Sequence, residues 1–255
     1  VFDTAFHATL PRRAYLYGLP LEMAAQGLRR YGFHGTSHDY VTREAARLLG
    51  RPRDELKVVS LHLGNGASGA AVDRGEVVDT SMGFTPLEGL LMGTRSGDVD
   101  PGLVLHLLRQ GMPVDELDDL LNRRSGLAGM SGVGNDMRDV RAAAAAGSEA
   151  AAAALEVYAY RVRKLVGAYA AAMGGLDVVV FTGGVGENDA ATRATSLEGL
   201  GFLGVSLDPE ANAAGGPVVS APDSRVAVLV VHTDEEVMIA ARALEAAGRV
   251  GGSAS

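Results

Sequence analysis

The chain has 255 residues, 47% of them hydrophobic, and a formal net charge of −8. That length holds one large domain or two modest ones with a real core, and no segment is long and apolar enough to cross a membrane. The acidic balance argues against a nucleic-acid surface but leaves room for a local basic pocket. The absence of cysteine excludes disulfides, thiolate catalysis and Cys-type zinc sites, and it agrees with an expected cytoplasmic location. Of the 23 basic residues only Lys57 and Lys164 are lysine, so a phosphate-binding cation is expected to be an arginine.

Val1-Phe2-Asp3-Thr4 reads as a strand-like opening. It enters at once into patterned sequence without an initiator methionine, so the chain is expected to be a fragment or processed product without its N-terminal partner. Ser37 can cap a helix from about His38 to Leu49, with Gly50 as its stop. Strands are expected at 57–63, 67–73 and 76–80, the last two joined by the tight turn Asp73-Arg74-Gly75. Met82–Asp100 is glycine-rich and irregular, the kind of loop that carries function on a rigid sheet. Helices follow at about 101–110 and 114–123, and the alanine-rich run Ala142–Ala154 reads as helix. Leu155, Tyr158, Val162, Leu165, Tyr169 and Met173 recur at helical spacing, and Gly174-Gly175 ends that helix. A strand at 177–182, a short helix near 189–199 and a strand at 226–231 come next. Thr233 and Glu236 then form a capping box for a final helix, and 251–255 reads as a disordered tail. Three consecutive strands, a helical insertion and then strand–helix–strand–helix predict an α/β layered domain over 1–250, a mixed sheet with helices on both faces.

Two glycine-rich turns carry the first functional signal. His62-Leu63-Gly64-Asn65-Gly66 follows the apolar run Val58–Leu61, and Gly183-Gly184-Val185-Gly186-Glu187-Asn188 follows Val178–Thr182. Glycine lets a backbone approach a phosphate closely, so two such turns after buried-type strands point to a split nucleotide site; each taken alone is equally well a plain turn. Arg95, the lone arginine of the irregular segment, suits a guanidinium aimed at phosphoryl oxygens, with a surface ion pair to Asp98 or Asp100 as the bland alternative. His34 and His38 are four apart, but Gly35 is expected to break a helix between them, leaving His34 as a loop hydrogen-bond donor or a satisfied structural histidine. Asp3, Glu235 and Glu236 are carboxylates near strand ends that could hold hydrated Mg²⁺.

Together the strings VFDTAFH, YGFHGTSH, HLGNGAS, DTSMGFTPLEGLLMGTRSGDVDP, NDMRD and FTGGVGEN resemble the acetate kinase family, in that family's order and over about residues 1–245. The resemblance implies a ribonuclease-H-like domain of the actin and sugar-kinase superfold, with nucleotide held between two such domains. This chain would be the second of them. The implied reaction is ATP + acetate ⇌ ADP + acetyl phosphate, with propionate or butyrate as runner-up substrates, or a non-catalytic nucleotide-binding or dimerisation module as the alternative. Carried over by motif, Asp3, His34 and Arg95 take the catalytic roles. Nucleotide contacts fall on His62, Leu63, Gly64, Asn65 and Gly66, on Asp136, Met137 and Arg138, and on Gly184, Val185, Gly186, Glu187 and Asn188. The Mg²⁺-associated glutamate, with Mn²⁺ as an alternative ion, falls on Glu235, where Asp234 stands in place of the usual asparagine. The resemblance further implies a homodimer and a cytoplasmic enzyme of acetyl-CoA biosynthesis, with no nucleic-acid or membrane partner.

Overall fold

The computed structural model describes residues 3–234. The expected final helix, the tail, Glu235 and Glu236 lie outside the described residues. In chain order the elements are α1 (Arg12–Tyr15), α2 (Leu21–Ala25), α3 (Gly35–Leu49), β1 (Lys57–Leu63), β2 (Ala67–Asp73) and β3 (Glu76–Thr80). Then come α4 (Pro101–Arg109), α5 (Val114–Arg123), α6 (Gly126–Ser131), α7 (Met137–Ala145), α8 (Glu149–Met173), β4 (Val178–Thr182), α9 (Gly183–Asn188), α10 (Ala190–Leu197), α11 (Pro209–Ala214) and β5 (Ala227–Val230).

The five strands form one mixed sheet in the order β3-β2-β1-β4-β5. β1 and β2 are antiparallel, as are β2 and β3, whereas β4 runs parallel to both β1 and β5. Parallel neighbours need a long crossover, and α4 to α8 supply it between β1 and β4.

Alternation along the strands separates two cores. Val59, Leu61, Leu63, Val179 and Phe181 face the layer that contains α8, with Tyr158, Val162, Val166 and Tyr169. Val58, Val178, Val180 and Leu229 face α3, with Val41, Ala45 and Ala46. The expected mixed sheet with helices on both faces is therefore found.

Four local expectations change. The described part of the opening, Asp3-Thr4, is a turn leading into a 3₁₀ helix at Ala5–Thr9 rather than a strand. Helix α3 starts at Gly35, not at His38, because His34 takes the left-handed conformation (φ 57°, ψ 27°) and turns the chain into it. Ser37 is consequently buried inside the first turn and caps nothing. The alanine-rich run is two helices, broken at Gly147 (φ 96°), after which the Ser148 hydroxyl accepts from the Ala151 amide and opens α8. The second glycine turn is itself helical, α9, because the Glu187 carboxylate reaches back to accept the Gly183 amide at 2.9 Å.

Phe181 is fully buried at the centre of the sheet. Phe181→Ala is expected to cost about 3–5 kcal/mol in urea unfolding, as a large buried ring replaced by a methyl leaves a cavity. Tyr158 is buried with a hydroxyl that has no partner among the described residues. Tyr158→Phe is therefore expected to be neutral or stabilising; a loss above about 1 kcal/mol would reveal a hydrogen bond at that hydroxyl.

Candidate functional site

The pairing of β1 with β4 continues to His62 opposite Thr182, the last residue of β4. Both glycine turns thus leave the sheet at the same edge and meet. A Cβ placed on Gly64 would lie 4.0 Å from the Gly184 nitrogen, and one on Gly183 (φ 77°) would lie 2.8 Å from the Leu63 oxygen. Glycine at 183 supplies both the left-handed backbone and the close approach.

Beside this junction lies a cavity of about 590 Å³, lined by Gly64, Asn65, Asp136, Arg138, Gly184 and Asn188 among others. A volume of that size suits a nucleoside-sized ligand. The three separate strings assigned to nucleotide thus converge on one pocket. Asp136 caps α7 and pairs with Arg138 at 2.6 Å, and hydrogen bonds from Arg138 hold its carboxyl down at about 2. Leu63 and Met137 are buried, so Leu63 can offer a ligand only its backbone. Both Glu187 oxygens are occupied: one accepts from the amides of Gly183 and Thr233, and the other faces His232 Nδ1 at 2.7 Å. Its carboxylate is thus engaged within the protein, closing α9 and holding the segment at His232-Thr233.

At the far side of Gly66 stand the two cationic or donor side chains. A Cβ on Gly66 would meet His34 Cε1 at 3.3 Å, His34 Nε2 at 3.4 Å and an Arg95 terminal nitrogen at 3.6 Å. Arg95 donates to the Pro86 carbonyl at 3.2 Å and makes no ion pair among the described residues. The surface-pair alternative fails because the Asp98 carboxylate accepts the Gly89 amide and Asp100 caps α4. The irregular segment is tied to the first turn through the Gly93 amide on the Asn65 carbonyl at 2.9 Å. The Asp3 carboxylate accepts the His34 amide at 2.8 Å, fixing the strained backbone there.

His34 stacks on His62 with ring centres 4.3 Å apart. Burial lowers the pKa of both. For His34 the Arg95 charge lowers it further while Asp3 opposes; for His62 burial and His34 bring it to about 4. Both rings are therefore neutral at pH 7.

Sequence reasoning missed several supports. Arg141 donates to the Asp189 carboxylate at 2.6 Å on the pocket wall. Arg193, 1% exposed, donates to the carbonyls of Gly186 and Glu187 at 2.8 and 2.9 Å and holds α9 from behind. No local pattern marks either residue, because each acts across a helix packing known only from the fold. Among the described residues no group of three or more His, Cys, Asp or Glu side chains could hold a metal.

A mixed sheet of this order with helices on both faces, and a cavity between two strand-end glycine turns, is the architecture of a ribonuclease-H-like domain. Residues 1–241 match the acetokinase family, and the chain belongs to that family. It is 58% identical over 251 residues to the acetate kinase of Leifsonia xyli subsp. xyli, covering 96% of this chain and 63% of that protein. It superposes on the crystal structure of Porphyromonas gingivalis acetate kinase with a TM-score of 0.93 at 49% identity, covering 96% of this chain and 63% of that one. A propionate kinase from Francisella tularensis subsp. tularensis SCHU S4 gives a TM-score of 0.89 at 43% identity, covering 94% and 62%. The chain thus spans less than two thirds of the length of the relatives it matches.

The depressed histidines set a pH dependence. The unfolded chain takes up these protons from about pH 6.5 downward, whereas folded His62 does so only near 4. Stability is therefore expected to fall as pH falls through that window, by about 1.4 kcal/mol for each unit of depression. Urea unfolding at pH 7 and pH 4.5 measures it, and His62→Gln should reduce the difference, His34 and His38 supplying the remainder. An unchanged difference in that variant would contradict the burial assigned to this ring.

Proposed function

We propose that this chain is the nucleotide-binding and phosphoryl-transfer portion of an acetate kinase, catalysing ATP + acetate ⇌ ADP + acetyl phosphate. One observation carries the reading: His34 Nε2 and the Arg95 guanidinium converge on Gly66, at the rim of the cavity formed by the two glycine turns. The nucleoside is proposed to fill that cavity, with its phosphates running along Gly64–Gly66 toward His34 and Arg95.

A carboxylate is already ionised at neutral pH, so the reaction asks little of a general base. It asks for alignment and for donors aimed at the oxygens of the migrating phosphoryl group. Arg95 offers a planar fork uncommitted to any carboxylate among the described residues. His34 offers a neutral N–H, and Asp3 holds the His34 backbone in place. Mg²⁺ or Mn²⁺ brought with the nucleotide would neutralise phosphate charge. The residues suit that role, since a hard cation bound through phosphates and water needs only one or two carboxylates; Asp3 and Glu235 are the proposed holders. Acetate is the proposed acyl substrate, and propionate and butyrate are the alternatives, the first favoured by the likeness to a propionate kinase.

A homodimer is also proposed. Helix α4 buries none of its residues and leaves Leu103 49% and Leu105 50% exposed, apolar surface on two sides of the helix that a second copy would cover in part. No helix among the described residues is long and apolar enough to cross a membrane, and the proposed setting is the cytoplasm.

The 255-residue chain is expected to bind Mg-ADP in calorimetry while forming acetyl hydroxamate near background. A protein spanning the relatives' full length is expected to turn over. In that longer protein Arg95→Ala should lower kcat by roughly two orders of magnitude or more with little change in nucleotide KM, as lost transition-state electrostatics do. A raised KM at constant kcat would make Arg95 a ground-state contact instead. No nucleotide binding at millimolar ligand would remove the reading.

A further inference from the structure

Helix α3 lies over an unusual stretch of sheet. Alternation puts Ser60 and His62 on the same face of β1 as Val58, and the β1–β2 register sets Ser68 opposite His62. The α3 face is thus apolar at one end and polar at the end that meets the glycine turns. Onto that polar end α3 lowers His34, Ser37 and His38. Ser37, His38, Ser60 and Ser68 are all fully buried, so each proton there needs an acceptor within the protein.

The contacts form a chain. Ser60 Oγ lies 2.8 Å from His38 Nδ1, His38 Nε2 lies 2.8 Å from Ser68 Oγ, and Ser68 Oγ lies 2.8 Å from His34 Nδ1. Its direction follows from counting protons. Ser60 Oγ has no other hydrogen-bond partner among the described residues, so its hydroxyl proton is satisfied only if it is donated to His38 Nδ1. Neutral His38 then carries its proton on Nε2 and donates to Ser68. Ser68 spends its own proton on His34 Nδ1, and neutral His34 must carry its proton on Nε2. The reverse direction strands the Ser60 proton inside the sheet, at the full desolvation penalty of a buried hydroxyl.

We infer that Ser60, His38 and Ser68 are positioning residues that lock His34 as the Nε2–H tautomer, aiming an N–H donor at Gly66. A second, separate chain does the same for the ring stacked on it. Thr233 Oγ1 donates to Ser37 Oγ at 3.0 Å, and Ser37 then donates to His62 Nδ1 at 2.9 Å. This leaves the proton of neutral His62 on Nε2, beside Gly64. Two parallel imidazoles thus present two N–H donors to the first glycine turn without carrying charge. Complete burial holds His38 well below its ordinary pKa, which keeps the relay neutral. A neutral pair avoids the repulsion that two stacked imidazolium ions beside Arg95 would suffer.

The use of these donors on a phosphoryl group rests on the kinase reading; their tautomers do not. Two-bond ¹H–¹⁵N correlation spectra of the histidine-labelled chain at pH 7, without ligand, read the tautomers directly. The expected spectrum has pyrrole-type Nε2 and pyridine-type Nδ1 for both His34 and His62. Ser60→Ala removes the anchoring donor, so His34 should shift toward a mixture while His62 stays as it was. His62, whose ring is held by Ser37, also reports that the variant is folded. A wild-type His34 protonated at Nδ1 overturns the inference, whether or not any variant folds. So does a folded Ser60→Ala chain with unchanged His34. Inactivity in the kinase assay alongside the expected tautomers would instead sink the functional reading and leave the relay standing.

Discussion

The parallel pairing of β1 with β4 is the constraint from which the site follows. Its register, Val58 opposite Val178 through His62 opposite Thr182, ends both strands at one edge of the sheet. A slip of one residue would turn Val59, Leu61 and Phe181 out of their core and His62 away from α3, so the hydrophobic pattern enforces the register. Because the strands are parallel, the residues after each emerge on the same side and two turns 120 residues apart become one surface. The helical insertion that makes the parallel crossover also delivers Asp136 and Arg138 to the cavity wall and supports Arg95 through the Met92–Gly93 backbone.

The second physical theme is dryness on the α3 side. A phosphoryl site gains from donors whose orientation is fixed beforehand, since water then need not reorganise during transfer. Here α3 packs Val41 and Ala45 against Val58 and Val180 at one end and buried serines and histidines against one another at the other. The apolar end fixes the helix, and the polar end uses that rigidity to orient two imidazoles. The left-handed backbone at His34 belongs to the same arrangement, for its amide is held by Asp3 while its ring reaches Ser68.

The sheet was legible in the sequence because its strands are short and set off by glycine turns, and Lys57–Leu63, Ala67–Asp73 and Glu76–Thr80 match their expected limits. The long helix was legible from its apolar spacing, though its start was hidden: Gly147 and Ser148 split an alanine run whose composition is helical throughout. The start of α3 was misplaced because a histidine in the left-handed region is held there by Asp3, a contact 31 residues distant that no local rule supplies. The motif around Glu187 gave no sign that its carboxylate closes α9 on itself. Ser60 and Ser68 carried no signal at all as isolated serines in strands. Only the β1–β2 register and the docking of α3 bring them to His38.

The central claim is that both glycine turns grip one nucleotide and direct its phosphates at Gly66, His34 and Arg95. A crystal structure of the chain with Mg-ADP tests it most directly. The account predicts the nucleoside in the 590 Å³ cavity between Gly64-Asn65 and Gly184–Asn188, with the terminal phosphate within hydrogen-bond distance of His34 Nε2 or Arg95. Nucleotide seated instead in the separate 260 Å³ cavity beside Arg30, Asp79 and Lys164, or phosphates directed away from Gly66, would contradict it.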